Sequence, residues 1–98
     1  MTLLLTGFMP FEGVSVNPTQ LIVEHMQRTR PDIRALVFPT EYHASAAMLR
    51  AAILEYQPDA VIMLGVAQNR TAITPERIAL NVDDASIADN AGVFAYGE

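Results

Sequence analysis

Two patterns of apolar residues alternate along the first two thirds of the chain. Three short and continuously apolar runs, residues 2–6, 35–38 and 60–64, have the length and composition of strands that are buried in a parallel sheet. Between these runs, apolar residues recur at intervals of three and four, which is typical of amphipathic helices. The order strand, helix, strand, helix, strand predicts an open α/β sheet with right-handed crossovers.

Both predicted helices have recognisable boundaries. The first begins at Asn17, which can cap it, and at Pro18, which suits the first helical position, and Pro31 ends it. The second covers about residues 41–56 and is ended by Pro58. The inner stripes are predicted to be Thr19, Ile22, Val23 and Met26 in the first helix, and Tyr42, Ala46, Leu49, Ile53 and Tyr56 in the second.

A different pattern follows Gly65. Short β-like segments at residues 71–73 and 77–82 predict a hairpin-like excursion, and the period-two alternation from residue 77 to residue 83 is typical of a half-buried strand. Glu76, directly behind Pro75, is then expected at the mouth of that strand. Beyond residue 83 the chain is polar and rich in turn signals. A doubly wound sheet of three parallel strands without a final covering element leaves apolar surface exposed, so the pattern predicts an incomplete open α/β sheet.

Composition and charge narrow the function classes. The chain has 98 residues, 51% of them hydrophobic, and a net charge of −5. Its six basic residues are scattered arginines that form no basic stripe, so nucleic acid is not expected as a partner. The chain contains no cysteine, which excludes disulfides and a thiol nucleophile within these residues. The N-terminal apolar run is too short for a signal peptide or a membrane span, and a cytoplasmic location without membrane contact is expected.

Aromatic residues follow the first predicted strand, at the sheet edge where open α/β proteins bind ligands. Phe8 and Phe11 lie three residues apart with Pro10 between them, and they form either an apolar wall for a small uncharged ring or a hydrophobic plug that seals the sheet. Gly65, after the third strand, is expected to form a tight turn, because neither phosphate-binding glycine pattern is present.

Other polar residues do not assemble into a recognisable site. The spacing of the acidic and amide side chains near the C-terminus misses the EF-hand pattern, so no metal or cofactor is expected; these residues are Asn81, Asp83, Asp84 and Asp89. His25 and His43 are expected to be surface or hydrogen-bonded histidines without a catalytic role. None of the serines stands in the context of a nucleophile elbow.

Three stretches together are specific: "TGFMPFEGVSVNPT", "FPTEYHAS" and "LGVAQNRTAITPERIALNVDDASIADNAG". In order and spacing they resemble, over about residues 3–92, the amino-terminal half of the pyroglutamyl peptidase I family. These are cysteine peptidases of α/β/α fold that remove pyroglutamate from the N-terminus of peptides. The resemblance implies that residues 1–98 are the N-terminal portion of one such domain, with pyroglutamyl peptides as substrates and assembly into a homo-oligomer, a dimer or tetramer.

The resemblance also implies roles for individual residues. The family's catalytic triad runs Glu, Cys, His in chain order, and Glu76 matches the carboxylate. Phe8 and Phe11 match the aromatics that enclose the pyrrolidone ring, and the backbone at Val66 is expected to face the lactam amide. Asn17 matches an Asn that ties the first loop to its surroundings, although a plain helix cap explains it equally well.

Departures from the family pattern set limits on this expectation. Glu12, Asn69 and Ser86 stand where a small residue, a glycine and an arginine are usual, and the family's Cys and His lie in a second half of similar size. The 98 residues are therefore expected to be inactive alone. Two other hypotheses remain: a non-catalytic module that binds a small cyclic amide, and a structural unit whose exposed sheet is covered by a swapped copy.

Overall fold

The computed structural model describes residues 1–11, 13, 15–67, 70–79, 88–93 and 95. Within them lie three strands and two helices in the predicted order, and the fold is α/β. The elements are β1 (Leu3–Phe8), α1 (Pro18–Thr29), β2 (Arg34–Phe38), α2 (Tyr42–Tyr56) and β3 (Ala60–Met63).

All three strands run parallel in the order β2-β1-β3, which places β1 at the centre. Leu4, Leu5 and Thr6 of β1 are buried, as a strand between two neighbours and two covering layers requires. The strand extends to Phe8, two residues beyond the predicted end, because β2 offers Val37 and Phe38 as partners for Gly7 and Phe8. The predicted parallel sheet is confirmed.

The two helices cover opposite faces of the sheet. Val23 of α1 packs with Leu5 and Ala35 in the core cluster. Arg34 precedes Ala35 in β2 and therefore points to the other face, where its guanidinium lies 5.2 Å from the centre of the Tyr56 ring of α2. This arrangement gives the three layers of an α/β/α fold. It also agrees with right-handed crossovers. The chain moves across the sheet in one direction from β1 to β2 and in the opposite direction from β2 to β3, and the two connecting helices lie on opposite faces, so both connections have the same hand.

The inner face of each helix differs in part from the prediction. In α1, Thr19 and Val23 are buried, but Ile22 is 47% exposed because it lies at the flank of the stripe that meets β1 and β2. In α2 the buried residue is Ala52, whereas Ala46 and Ile53 are exposed. Because Ala52 is buried and Ile53 is exposed, α2 is rotated about its axis relative to the predicted stripe. The small Ala52 side chain lets the helix approach the sheet.

The third strand and the segment after it are less covered than the sequence suggests. The apolar run at residues 60–64 predicts a buried strand, but Met63 is 64% exposed, since β3 pairs with β1 on one side and has no second neighbour among the described residues. The predicted strands at residues 71–73 and 77–79 are wrong: these residues are exposed and form no strand, and Ile78 is 75% exposed. Alternation alone does not make a strand without a neighbour to pair with. Residues 80–82 lie outside the described part.

The described helices do not include a segment that combines the length and the apolar character needed to cross a membrane.

Candidate functional site

The strand order itself marks a crevice. The chain moves from β1 to β2 on one side and then returns past β1 to β3, so the connections diverge between β1 and β3. In open α/β sheets, ligands bind at such a switch point, beyond the carboxyl ends of the two strands. Phe8 ends β1, Phe11 follows it and Val66 follows β3, so three of the residues predicted to bind substrate belong to the two segments that border this crevice.

The segment at the end of β1 is fixed to its surroundings by backbone and side-chain hydrogen bonds. We call residues 8–11 the aromatic loop. The Phe8 N–H donates to Thr19 Oγ1 of α1 at 2.8 Å, and the Met9 N–H donates to the carbonyl of Phe38 at 2.9 Å. The Thr40 hydroxyl donates to the Met9 carbonyl at 2.8 Å. The aromatic loop is thus anchored both to α1 and to the end of β2.

Asn17 performs both of the tasks that the sequence left open. Its Oδ1 accepts the Thr19 N–H at 2.9 Å and the Thr19 hydroxyl at 2.6 Å, so it caps α1. Its Nδ2 donates to the Met9 carbonyl at 3.2 Å, which ties the cap to the aromatic loop. The residue is buried, with 2% of its surface exposed, and this burial is accompanied by hydrogen bonds of both amide atoms.

Sequence reasoning missed a second anchor, the turn that contains Asp89 and Asn90. Asn90 Nδ2 donates to the Pro10 carbonyl at 3.0 Å, and the Asn90 N–H donates to the Thr40 carbonyl at 2.9 Å. Asp89 accepts the Tyr42 N–H at the start of α2 at 2.8 Å. The only signal in the sequence is the turn composition around Gly92, which predicts a turn but not what the turn contacts.

The electrostatics of Asp89 reflect this role. Partial burial of the carboxylate raises its pKa, but backbone N–H donors from Tyr42, Val93 and Ala91, together with the nearby His43, outweigh that effect, so the pKa is lowered overall. From the sequence, Asp89 is expected in a turn-rich stretch and not as a metal ligand. In the described residues, no three His, Asp or Glu side chains come together to hold a metal ion, while Asn81, Asp83 and Asp84 lie outside that part.

Glu76 lies in a different setting. Its side chain is 70% exposed and its Oε1 accepts from Arg70 Nη1 at 2.5 Å, while the same nitrogen donates to Thr74 Oγ1 at 2.9 Å. This segment surrounds an open depression lined by Arg70, Thr74, Pro75, Glu76, Arg77 and Ile78. The hydrogen bond described for Glu76 and the depression beside it involve residues 70–78 and include neither Phe8 nor Phe11. The catalytic role of Glu76 stays a prediction.

Val66 lies three residues after the end of β3. The Leu64 N–H donates to the Thr6 carbonyl at 2.8 Å, so the ladder between β1 and β3 continues one residue past the strand. Val66 comes two residues later and is exposed at the same edge of the sheet. Its contact with a lactam amide stays a prediction. The three departures from the family pattern, Glu12, Asn69 and Ser86, lie outside the described residues. His25 and His43 are both exposed.

Comparison with known proteins gives a consistent result. The whole chain, residues 1–98, matches the pyroglutamyl peptidase family. It is 45% identical over 94 residues to pyrrolidone-carboxylate peptidase 1 of Streptococcus pneumoniae, covering 94% of this chain and 44% of that protein. It is 49% identical over 90 residues to the pyrrolidone-carboxylate peptidase of Bacillus licheniformis, covering 89% of this chain and 42% of the relative. The chain therefore spans somewhat less than half the length of these relatives.

Solved structures agree with the sequence relatives. Pyroglutamyl peptidase I from Bacillus amyloliquefaciens superposes with a TM-score of 0.89 at 42% identity, over 99% of this chain and 48% of that one. Pyrrolidone carboxyl peptidase from Pyrococcus furiosus superposes with a TM-score of 0.92 at 37% identity, over 100% of this chain and 49% of that one. The sheet order, the helix placement and the match over every residue lead to one assignment: this chain belongs to the pyroglutamyl peptidase family.

Proposed function

We propose that this chain is the N-terminal portion of a single α/β domain that removes pyroglutamate from the N-terminus of peptides by cysteine-peptidase chemistry. It contributes the ring pocket and the orienting carboxylate Glu76, and the thiol and the imidazole come from polypeptide outside these 98 residues. The relatives that the chain matches over about half their length are pyrrolidone-carboxylate peptidases by name, which supports this assignment. We further propose that the enzyme works in the cytoplasm as a homo-oligomer, a dimer or tetramer.

The observation that carries the proposal is the anchored aromatic loop at the switch point between β1 and β3. A pyrrolidone ring is small and uncharged, so apolar side chains and a few backbone hydrogen bonds are sufficient to bind it. Phe8 and Phe11 supply the apolar walls, Asn17 keeps the loop in place through the Met9 carbonyl, and the backbone at Val66 supplies a polar contact to the lactam amide. A loop that is ordered before binding loses less conformational entropy when the ligand binds.

Glu76 has the chemistry that the remaining step requires. A carboxylate that accepts a hydrogen bond from an imidazole holds the ring in the tautomer that serves the nucleophile, and it stabilises the imidazolium that forms on proton transfer. The attacking group is the thiolate, which the adjacent imidazolium favours. In this structure the carboxylate is paired with Arg70, and the pair is exposed. Because exposed ion pairs contribute only about 0–1 kcal/mol, an imidazole can displace this guanidinium at little cost.

The first experiment measures the hydrolysis of a chromogenic pyroglutamyl substrate by the purified 98-residue chain. We expect no turnover above the buffer rate, because no thiol is present. Turnover by a preparation whose mass matches the 98 residues would contradict the proposed division of the site.

The second experiment restores the absent groups. This chain is joined to the part of the Bacillus amyloliquefaciens enzyme that it does not match, and we expect the chimaera to hydrolyse the substrate. Replacing Glu76 by Gln keeps the shape and removes the charge, so we expect kcat to fall by about 10³-fold or more. The control is Glu55→Gln on the exposed surface of α2, which should leave kcat unchanged. Equal activity of the two variants would refute the role of Glu76.

A second candidate function is a binding module for a small cyclic amide. It is favoured by the aromatic loop, whose carbonyls accept hydrogen bonds from Asn17, Thr40 and Asn90, because an ordered apolar loop can bind a small ring without a nucleophile. Calorimetry with 2-pyrrolidone distinguishes the two. Binding by the isolated chain combined with an inactive chimaera would favour the module, whereas an active chimaera that depends on Glu76 would favour the peptidase.

A further inference from the structure

A closed ring of hydrogen bonds joins the aromatic loop to two distant segments. Asn90 Nδ2 donates to the Pro10 carbonyl at 3.0 Å, and the Asn90 N–H donates to the Thr40 carbonyl at 2.9 Å. The Thr40 hydroxyl donates in turn to the Met9 carbonyl at 2.8 Å. Because Met9 and Pro10 share a peptide bond, the ring closes on itself. Its members are 31 and 80 positions apart in the sequence, so only the folded chain assembles it.

This ring completes the restraint of the backbone between the two phenylalanines. Three peptide planes connect Phe8 to Phe11, and each plane is rigid, so one good hydrogen bond limits its rotation. The first plane is held by the Met9 N–H on the Phe38 carbonyl, and the second by the Met9 carbonyl, which accepts from Asn17 and Thr40. The third plane, between Pro10 and Phe11, is held through the Pro10 carbonyl by Asn90.

Asn90 is itself presented by a structured turn. Asp89 Oδ1 accepts the N–H groups of Ala91 at 3.0 Å and Val93 at 2.7 Å, and its Oδ2 accepts the Tyr42 N–H. The Gly92 N–H donates to the Asp89 carbonyl at 3.0 Å, with Gly92 in the left-handed region at φ 82°. The turn is thereby fixed to the start of α2, so the Asn90 amide approaches Pro10 from a held position.

We infer that Asn90 is a positioning residue for the pyrrolidone ring: it sets the Pro10 to Phe11 peptide plane and thereby the orientation of the Phe11 ring relative to Phe8. This inference deepens the proposed function of the aromatic loop and rests on it. Asn90 acts through the Pro10 carbonyl and not through contact with the ligand. The same bond makes ring binding depend on residues 88–93, which follow β3 by more than twenty positions.

The test compares two isosteric changes of one amide to a carboxylate. Asn90→Asp removes the donor to Pro10, and Gln27→Glu removes the donor of a similar side-chain bond, from Gln27 Nε2 of α1 to the Ala35 carbonyl at 2.6 Å. Each variant loses one bond of the same kind and gains one negative charge, but only the first bond holds the aromatic loop. Asn90→Ala is added as a variant without the new charge next to Asp89.

The first readout is the NMR order of the backbone amides of Phe8, Met9 and Phe11 in the 98-residue chain, with thermal unfolding measured alongside. We expect the order of the Phe11 amide to fall in both Asn90 variants and to be unchanged in Gln27→Glu. Unchanged Phe11 order in the Asn90 variants would overturn the inference, and so would an equal loss in the Gln27 variant, because the effect would then be general destabilisation.

The second readout is the dissociation constant for 2-pyrrolidone, followed by chemical shifts. The loss of one hydrogen bond to a preorganised loop should raise it by about 3- to 10-fold in both Asn90 variants and leave it unchanged in Gln27→Glu. If the parent chain binds no lactam, the proposed pocket of the isolated chain fails, and the order of Phe11 still decides the positioning role. If the parent binds and all variants bind equally, the positioning role fails while the pocket stands.

Discussion

Helix α1 lies so close to the sheet at Gly7 that a side chain has no room there. A Cβ atom built on Gly7 meets the Thr19 carbonyl oxygen at 2.8 Å, the Thr19 carbonyl carbon at 3.0 Å and Val23 Cγ2 at 2.9 Å, whereas ordinary contacts are 3.4–4 Å. Two of these atoms belong to the backbone of a helix, which cannot yield as a flexible side chain can. Gly7→Ala therefore requires α1 to move away from β1 by roughly half an ångström or more.

The size of the effect follows from two opposing contributions. Overpacking of a close-packed core costs about 1–3 kcal/mol. Alanine in a strand recovers about 0.5–1 kcal/mol, since glycine loses more backbone entropy on folding and Gly7 does not have a positive φ. The expected net loss of unfolding free energy is about 1–2 kcal/mol, and each kcal/mol lowers the Tm of a domain of this size by about 4–8 °C.

The assay is urea unfolding of the parent and of two variants, Gly7→Ala and Gly65→Ala. Gly65 is the matched control, because nothing lies within 4 Å of a Cβ built there and its φ is not positive. We expect Gly65→Ala to equal the parent or to be slightly more stable. If Gly7→Ala is as stable as Gly65→Ala, then the close approach of α1 to β1 does not exclude a side chain at position 7, and the reasoning is refuted.

Three further predictions concern single residues. Asn17→Ala removes both the cap of α1 and the donor to the Met9 carbonyl, so it should lower the unfolding free energy by about 1–2 kcal/mol. Asn17→Asp keeps the cap and removes only that donor, so it should lower the unfolding free energy by less, and urea unfolding measures both variants. Gln57 ends α2 in the left-handed region at φ 46°, so Gln57→Gly should stabilise the chain by about 0.5 kcal/mol and raise Tm. Because the pKa of Asp89 is lowered in the folded chain, its carboxylate adds to the unfolding free energy above pH ~4, and this addition is lost as the pH falls through the folded pKa. The difference in unfolding free energy between the parent and Asp89→Asn should therefore be smaller at about pH 3 than at about pH 6, as measured by urea unfolding.

The features that sequence predicts correctly are those whose causes are local. Asn17 and Pro18 identify the start of α1 because the cap and the first helical position are satisfied by neighbouring residues. The apolar runs likewise give the order of the strands along the chain. The errors arise where a distant segment decides: β1 continues to Phe8 because β2 pairs with it there, and α2 turns Ala52 to the sheet instead of Ile53.

The same distinction explains which parts of the site the sequence reveals. A period-two pattern around Ile78 predicts a strand, but the described residues provide no neighbouring strand to pair with it, and Ile78 is exposed. The turn at Asp89 and Asn90 can be predicted from composition, yet its partner Pro10 is 80 residues away, and no local signal connects the two. Sequence thus suggests, through resemblance, candidate ligand-binding residues and one residue that holds their loop, Asn17, but not the distant holding residue Asn90.

The aromatic loop and Glu76 are held in place by different parts of the chain, and this difference has consequences for function. The aromatic loop is held by residues of α1, the end of β2 and the turn at Asn90, so its geometry is defined within this chain. Glu76 is held by Arg70, six positions away, in an exposed segment. Ring binding and turnover should therefore separate: changes at Asn17 or Asn90 should alter lactam affinity in the isolated chain, whereas Glu76→Gln should leave that affinity unchanged and lower kcat in the chimaera. A loss of lactam affinity on changing Glu76 would show that the carboxylate belongs to the pocket itself.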